Sequence, residues 1–161
     1  MRVITLSPKE CAWGIEVGYK RMFESPKQGY KDSRELADAP VRTKIWIDVN
    51  GACGELAACL ALNVDWSASV NTPDDPDIVI GENKIDVKTA DRHGKRLLIP
   101  DHNINKRLDW WYLHVTGCIP TYHVWGAIKV TDAFDVGSYE DPDGRGWASF
   151  VDKVDLTKKF M

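Results

Sequence analysis

PDIVIGENKIDVKTA, residues 76–90, is the stretch of this sequence that decides its fold. Two apolar runs, residues 78–80 and 85–88, flank turn-forming residues at positions 81–84. Short runs rich in isoleucine and valine, separated by glycine and asparagine, are typical of two antiparallel strands. The stretch therefore predicts a β-hairpin.

The position of the hairpin loop determines which side chains face each other. If Glu82 and Asn83 form the loop, Ile80 lies opposite Ile85 and Asp77 lies opposite Lys88. Successive side chains of a strand point to opposite faces. One face is therefore predicted to pack in the core, formed by Ile78, Ile80, Ile85 and Val87. The other face gathers three ionisable side chains, Asp77, Asp86 and Lys88, and such a group on an apolar hairpin indicates a chemical role.

The size and composition of the chain are those of an ordinary globular protein. Its 161 residues predict a single domain, and 43% of them are hydrophobic and 28% charged. The net charge of −3 means that any contact with nucleic acid must come from a local patch. No apolar run reaches the length of a membrane span, and the four cysteines include no C-x-x-C pair. We therefore expect a soluble cytoplasmic protein with reduced thiols and no membrane partner.

Residues 1–40 are predicted to form a helical leader. Ser7, Pro8 and Glu10 make up a capping box, with serine as N-cap, proline at the first helical position and glutamate at the third. The helix is expected to run to about Glu24, and residues 33–39 to form a further helical turn. The leader is basic through residues such as Lys20 and Arg21, which we interpret as a solvated helix face in preference to a DNA-contacting arm.

Residues 44–130 alternate between helix and strand patterns, which indicates an α/β fold with a mixed central β-sheet flanked by helices. Asn50 is a suitable N-cap for a helix over residues 51–63, in which Glu55 is the only ionisable residue. Beyond the hairpin, strands are predicted over residues 95–99, 110–115 and 122–130. Residues 131–161 form a C-terminal extension, with a short helix at residues 131–134 and a turn-rich loop at residues 137–146.

In this order of elements the chain resembles the PD-(D/E)XK nuclease superfamily, which includes restriction endonucleases, Holliday junction resolvases and several phage nucleases. Pro76-Asp77 matches the PD, Asp86-Val87-Lys88 matches the (D/E)XK, and Glu55 matches the glutamate of the upstream helix. The resemblance covers residues 51–129 approximately, and the leader and tail add nothing to it. It implies a restriction-endonuclease-like core, with residues 44–130 as the catalytic part, and metal-dependent cleavage of DNA.

Phosphodiester hydrolysis requires the residue types that the hairpin carries. The reaction needs charge neutralised on the scissile phosphate, a nucleophile made from water and a stabilised leaving group. Mg²⁺, or Mn²⁺ in its place, prefers oxygen ligands. The predicted ligands are Asp77, Asp86, Glu55 and, as the resemblance implies, the Val87 carbonyl. Lys88 is predicted to orient or deprotonate the attacking water and to stabilise the charge of the transition state. The alternative is a surface Asp–Lys pair on a two-sided sheet, with Glu55 at a helix edge.

A basic band around the second half of the hairpin and the residues after it is predicted to contact DNA phosphates. It consists of Lys84, Arg92, Lys95, Arg96, Lys106 and Arg107. A solvated strand edge and loop would explain each of these residues equally well when it is taken alone. Trp110 and Trp111 alternate faces in a predicted strand, so one of them is expected in the core.

The function that this interpretation favours is a Mg²⁺-dependent nuclease acting on DNA. The compact size is typical of a small phage or mobile-element nuclease, which would work in the cytoplasm of the host cell. Two alternatives stay open. One is a catalytically silent nucleic-acid-binding module of the same fold, and the other is a Holliday-junction-type resolvase acting as a homodimer.

Overall fold

The computed structural model describes residues 1–24, 40–70, 75–100, 107–141 and 148–161. These residues form three α-helices, α1 (Pro8–Glu24), α2 (Val41–Leu62) and α3 (Val130–Val136). They also form eight strands: β1 (Arg2–Thr5), β2 (Ile78–Ile80), β3 (Asn83–Ala90), β4 (Leu97–Pro100), β5 (Trp111–Cys118), β6 (Thr121–Lys129), β7 (Ser138–Glu140) and β8 (Ala148–Val151). A single 3₁₀ turn of the described chain spans Lys153–Asp155.

The strands make two sheets. The larger has the order β1-β6-β5-β3-β2 and is mixed, because β3 and β5 run parallel while its other neighbours run antiparallel. The smaller has the order β4-β8-β7 and is antiparallel. One face of the larger sheet packs on α1 and α2, and the other packs against β4, β8 and α3. The predicted α/β class with a mixed sheet is confirmed, whereas the restriction-endonuclease-like core stays a prediction.

The hairpin forms as predicted but with a different loop. Its two loop residues are Gly81 and Glu82, since Ile80 pairs with Asn83. Gly81 has a φ of 59°, a left-handed value typical of the first loop residue in a type II′ turn. The predicted register is therefore wrong by two residues.

A shift of two residues leaves every hairpin side chain on its predicted face, because the side-chain period of a strand is two. Ile78 and Ile85 now pair directly, and both are buried in the core against the helices. Asp86 and Lys88 project from the opposite face of β3. The same shift brings Asp77 to the level of Asp86 rather than Lys88.

α1 begins with the predicted capping box. Ser7 donates its backbone N–H to Glu10 Oε2 at 2.7 Å, and Glu10 donates its backbone N–H to Ser7 Oγ at 3.3 Å. The hydrogen bond from the Ser7 N–H holds the pKa of Glu10 below its usual value. α1 ends at Glu24, as predicted. The predicted turn at residues 33–39 lies outside the described residues.

α2 begins at Val41, well before the predicted start at position 51. Asn50, the predicted N-cap, lies inside the helix and is 5% exposed. Its Nδ2 donates to the Gly117 carbonyl at 3.2 Å, and its Oδ1 accepts from the Tyr122 hydroxyl at 2.9 Å. The polarity that predicted a cap belongs instead to a buried amide that joins α2 to β5 and β6.

The strand predictions fail most at the sheet edges. β1 was not predicted, yet it forms one edge of the larger sheet by pairing with β6. The strand predicted over residues 95–99 is β4, which pairs with β8 in the smaller sheet. The loop predicted over residues 137–146 contains β7. β5, β6 and α3 lie where they were predicted, with shifted ends.

α2 is apolar because it is the core helix of the fold. Within the described part of the chain it is the one helix whose length and composition would suit a membrane span, and 67% of that apolar window is buried inside the protein. A core helix of a soluble protein has the same composition. Cys53 and Cys59 are buried on this helix, and all four cysteines are free thiols, as predicted.

α1 approaches α2 closely because two of its glycines face that helix. A Cβ atom added at Gly14 would lie 2.5 Å from Cys53 Sγ, and one added at Gly18 would lie 2.4 Å from Val49 Cα. Side chains at these positions would push the two helices apart. The two glycines therefore determine how close the C-terminal part of α1 lies to the middle of α2.

Gly18→Ala is expected to lower the free energy of unfolding by about 1–3 kcal/mol, because the new methyl group overlaps the α2 backbone. Gly51→Ala is the matched control, since nothing lies within 4 Å of a Cβ atom there. It is expected to raise the free energy of unfolding by up to ~1 kcal/mol through helix propensity. Urea denaturation measures both changes, and equal effects of the two substitutions would contradict the close packing.

Candidate functional site

Asp77 directly precedes β2 and turns its carboxylate onto β3. Its Oδ2 accepts a hydrogen bond from the Val87 backbone N–H at 2.6 Å. This bond holds Asp77 beside the segment that carries Asp86 and Lys88. The Pro76-Asp77 and Asp86-Val87-Lys88 parts of the predicted motif therefore lie next to each other. Val87 makes this contact through its N–H, and its carbonyl stays a predicted metal ligand.

Asp86 is buried on the face of β3 that points away from α2, and it holds two cations. Lys88 Nζ lies 2.6 Å from Oδ1, and Arg107 Nη1 lies 2.5 Å from Oδ2. Burial lowers the pKa of Lys88, but the charge of Asp86 outweighs that effect and holds the pKa above its ordinary value. Lys88 is therefore a firmly protonated cation at neutral pH.

Aromatic rings beside β3 support these cations. Lys88 Nζ lies 5.3 Å from the centre of the Tyr112 ring, and Arg107 Cζ lies 4.4 Å from the centre of the Trp110 ring. A cation over a ring face gains electrostatic attraction, so the rings restrict where the two cations can go. Trp110 and Trp111 are both buried, whereas only one of them was expected in the core.

Glu55 projects from α2 and is 7% exposed. Arg21 of α1 binds it through two parallel hydrogen bonds, from Nη1 to Oε1 at 2.6 Å and from Nη2 to Oε2 at 2.7 Å. The Trp66 indole N–H lies 3.4 Å from Oε2, and Arg21 Nε donates to the Ser69 carbonyl at 2.9 Å. The negative charge of Glu55 is thus balanced by the guanidinium of Arg21.

The predicted solvated basic face of the leader holds for Lys20, whose side chain is 56% exposed, but not for Arg21. Arg21 is largely buried, with 15% of its side chain exposed. Its position did carry a signal, because Gly14, Gly18 and Arg21 follow the i, i+4, i+7 spacing of one helix face. Recognising that face as the contact with α2 would have placed Arg21 towards Glu55.

Repulsion among the three acids changes the protonation of one of them. Burial, followed by the charges of Glu55 and Asp86, raises the pKa of Asp77 to about 8. Three cations compensate the acids, namely Arg21, Lys88 and Arg107, but they pair with Glu55 and Asp86. Among the described residues, Asp77 forms no ion pair of its own. Of the three acids, Asp77 is therefore the one whose negative charge is least balanced by a neighbouring cation.

The donor atoms of Glu55, Asp77 and Asp86 are of the kind that a divalent cation binds, while Arg21, Lys88 and Arg107 already balance their charge. Carboxylate oxygens are preferred ligands of Mg²⁺, and a cation beside Asp77 would offset the burial and the repulsion that raise the pKa of this acid. Within the described ranges, no three Asp, Glu, His or Cys side chains already stand together as a metal-binding group. Glu55 or Asp86 must therefore exchange a partner before it joins Asp77 around an ion.

The predicted DNA-contacting residues fall into two groups. The first group binds acids of this protein, since Arg96 lies 3.2 Å from Glu140 and Arg107 pairs with Asp86. The second group is exposed and consists of Lys84, Arg92 and Lys95. Lys106 lies outside the described residues. The exposed group offers charge to an external partner, while the first group is already engaged within the fold.

Comparison with known proteins identifies no relative. No family model matches this chain, and neither a curated protein nor a solved structure matches it. The assignment of this site therefore rests on the geometry and chemistry of its own residues.

Asp77 is expected to make the stability of the metal-free protein depend on pH. Its folded pKa of about 8 exceeds the ordinary value of 3.8, so between these values the folded state keeps a proton that the unfolded chain has lost. The part of the free energy of unfolding that depends on the Asp77 proton is therefore fully present below about pH 4 and is lost as the pH rises to about 8.

Asp77→Asn removes the titrating group and keeps an acceptor for the Val87 N–H. The free energy of unfolding of the unsubstituted protein should therefore fall relative to that of Asp77→Asn between about pH 5 and about pH 8. Denaturation in the presence of a chelator, repeated across this range, measures the difference. A difference that stays constant with pH would contradict the raised pKa of Asp77.

Glu55→Gln is expected to lower the free energy of unfolding by about 3–5 kcal/mol, because it removes the charge that binds the buried Arg21 guanidinium through two hydrogen bonds. Glu16→Gln is the matched control. Glu16 pairs with Lys20 on the same helix as Arg21, but both side chains are more than half exposed, so little change is expected. Chemical denaturation compares the two variants, and an unchanged stability in Glu55→Gln would show that the pair does not hold the fold.

Proposed function

We propose that this protein is a metal-dependent nuclease that hydrolyses phosphodiester bonds of DNA. The observation that carries the proposal is the convergence of Asp77 and Asp86 with Lys88, next to the buried Glu55. A structural role alone gives no reason to bury several carboxylates close enough to raise the pKa of one of them to about 8. Strongly perturbed acids beside fixed cations are typical of sites where charge develops during a reaction.

A divalent cation, Mg²⁺ or Mn²⁺, would be held by Asp77 and Asp86, with Glu55 and the Val87 carbonyl as further ligands. Such a cation supplies charge neutralisation at the phosphate and lowers the pKa of a bound water. The chain's own contribution is to place these oxygens together. The Val87 N–H fixes Asp77, and the Lys88 and Arg107 contacts fix Asp86.

Lys88 acts in this proposal as a charge-stabilising residue. Its pKa is raised through Asp86, so it holds its proton at neutral pH and is a poor base. A fixed ammonium group beside the scissile phosphate would stabilise the negative charge that grows in the transition state. Of the two roles predicted for Lys88, this assignment keeps the stabilisation of transition-state charge and drops the deprotonation of water.

A row of cations along β3 supports a nucleic-acid substrate. Lys84 and Lys88 share one face of β3, about 13 Å apart along the strand, and Arg107 sits on Asp86 between them. Lys84 is exposed and lies 6.0 Å from the Trp110 ring. Cations spaced along one strand can follow the phosphates of a nucleic-acid backbone.

The order of elements is also that of the nuclease superfamily which the sequence resembles. A helix with a buried glutamate precedes the hairpin, and the strand that carries the (D/E)XK residues pairs in parallel with β5. This agreement supports the proposal but carries less weight than the site itself, because one fold can host many functions.

A second candidate is a catalytically silent module that binds DNA. The ion pairs of Glu55 with Arg21 and of Asp86 with Arg107 favour it, because two of the three acids already have cationic partners. In this case the cations along β3 would bind the DNA backbone without cleaving it. Cleavage assays separate the two candidates.

Cleavage of linear duplex, single-stranded and branched DNA should require Mg²⁺ or Mn²⁺. Lys88→Ala is expected to slow cleavage by ~10²-fold or more while DNA still binds, because it removes a charge but no carboxylate. Arg107 still pairs with Asp86 in this variant, so the fold should persist. Lys9→Ala, which removes an exposed lysine of α1 that is not among the predicted DNA-contacting residues, is the matched control and should cleave normally.

Two outcomes would reject parts of this assignment. Binding of DNA without cleavage by the unsubstituted protein, with either metal, would establish the silent module. Cleavage by Lys88→Ala at the unsubstituted rate would remove Lys88 from the site.

A further inference from the structure

A cavity lies between the N-terminal half of α2 and the end of β3. It has a volume of about 270 Å³ and is lined by Trp46, Ile47, Asn50, Thr89, Ala90 and Asp91. No residue of the candidate active site lines it. Thr89 and Ala90 follow Lys88 directly in the chain, but the cavity lies on the α2 side of β3, where Thr89 faces Gly54, whereas Asp86 and Lys88 project from the opposite face. A nucleic-acid strand that occupies both the site and the cavity must therefore pass around the end of β3.

Trp46 gives this cavity an aromatic wall that the core does not use. Trp46 is 44% exposed and Ile47 is 43% exposed, although both belong to the helix that otherwise forms the core. The neighbouring wall is rigid, because the Asn50 amide is held by Gly117 and Tyr122. A rigid pocket with an accessible indole ring is suited to stacking a flat ring.

The charges around the cavity complement a nucleic-acid strand. Arg42 lies one helical turn before Trp46 and is exposed. Arg92 follows the cavity residue Asp91, forms a long ion pair of 4.0 Å with it and has 79% of its side chain exposed, so its guanidinium can also reach a phosphate. Cations near an aromatic platform are the combination by which proteins hold single strands, with phosphates on the cations and bases on the ring. Asp91 adds a carboxylate that can accept hydrogen bonds from the amino group of a base.

We propose that this cavity receives an unstacked base of a single-stranded nucleic-acid substrate, with the base ring on Trp46 and its flanking phosphates near Arg42 and Arg92. The proposal rests on the proposed nuclease function, and it adds that the preferred substrate is single-stranded close to the cleaved bond. A duplex must first unstack and unpair a base to fill the cavity, which costs a few kcal/mol. Single-stranded DNA does not pay the pairing part of that cost.

The test compares the binding of single-stranded oligonucleotides in the presence of a chelator, where cleavage does not interfere. Trp46→Ala is expected to weaken binding by about tenfold, the effect of losing one base–aromatic stack. Tyr19→Ala is the matched control, because Tyr19 is a 49% exposed aromatic residue on α1 that does not line the cavity. Its affinity should equal that of the unsubstituted protein.

A second measurement compares the unsubstituted protein and Trp46→Ala on a series of oligonucleotides, each with one abasic position. At one position the missing base should weaken binding by about tenfold, and Trp46→Ala should cause no further loss with that oligonucleotide. Duplex DNA of the same sequence should bind more weakly than the single strand.

The outcomes distinguish this inference from the proposed function. If the protein cleaves DNA but Trp46→Ala and Tyr19→Ala bind alike, or if no abasic position matters, the base-binding cavity is wrong and the nuclease assignment stands. Tighter binding of duplex than of single strands also overturns the inference. If the unsubstituted protein neither binds nor cleaves any DNA, the proposed function itself fails.

Discussion

The ion pair between Arg21 and Glu55 connects the candidate site to the rest of the fold. Glu55 is the only charged residue among residues 49–62 of α2, and burying its charge without a partner would be costly. Arg21 can supply the opposite charge only because Gly14 and Gly18 let α1 approach α2 closely. The close packing of α1 on α2 is thus what allows the charge of Glu55, a proposed catalytic acid, to be buried at this position.

The balance of charge in the site follows from that constraint. Arg21 compensates Glu55, and Lys88 together with Arg107 compensates Asp86, so Asp77 is left as the acid whose pKa is raised to about 8. A site of this kind is stable without metal but favours an added cation next to Asp77. The same ion pairs that stabilise the fold would therefore compete with a metal for Glu55 and Asp86.

The two faces of β3 have different roles. Ile85 and Val87 pack under the helices, whereas Lys84, Asp86 and Lys88 lie on the face towards Trp110 and Tyr112. The proposed phosphate row and the site follow one another along that second face, and the base-binding cavity lies at the end of the strand on the opposite face, towards α2. A single strand can therefore organise backbone contact, chemistry and base contact.

The sequence by itself determined the features that depend on local periodicity. It predicted the capping box of α1 and the two faces of the hairpin, because hydrogen bonds over three residues and side-chain alternation are local. The faces survived a two-residue error in register for the same reason. Only the tertiary structure decided that Arg21 binds Glu55, that Arg107 binds Asp86 and that Asn50 is a buried amide rather than a cap. These contacts join residues far apart in the chain, and a polar side chain carries no local signal of which distant partner will satisfy it.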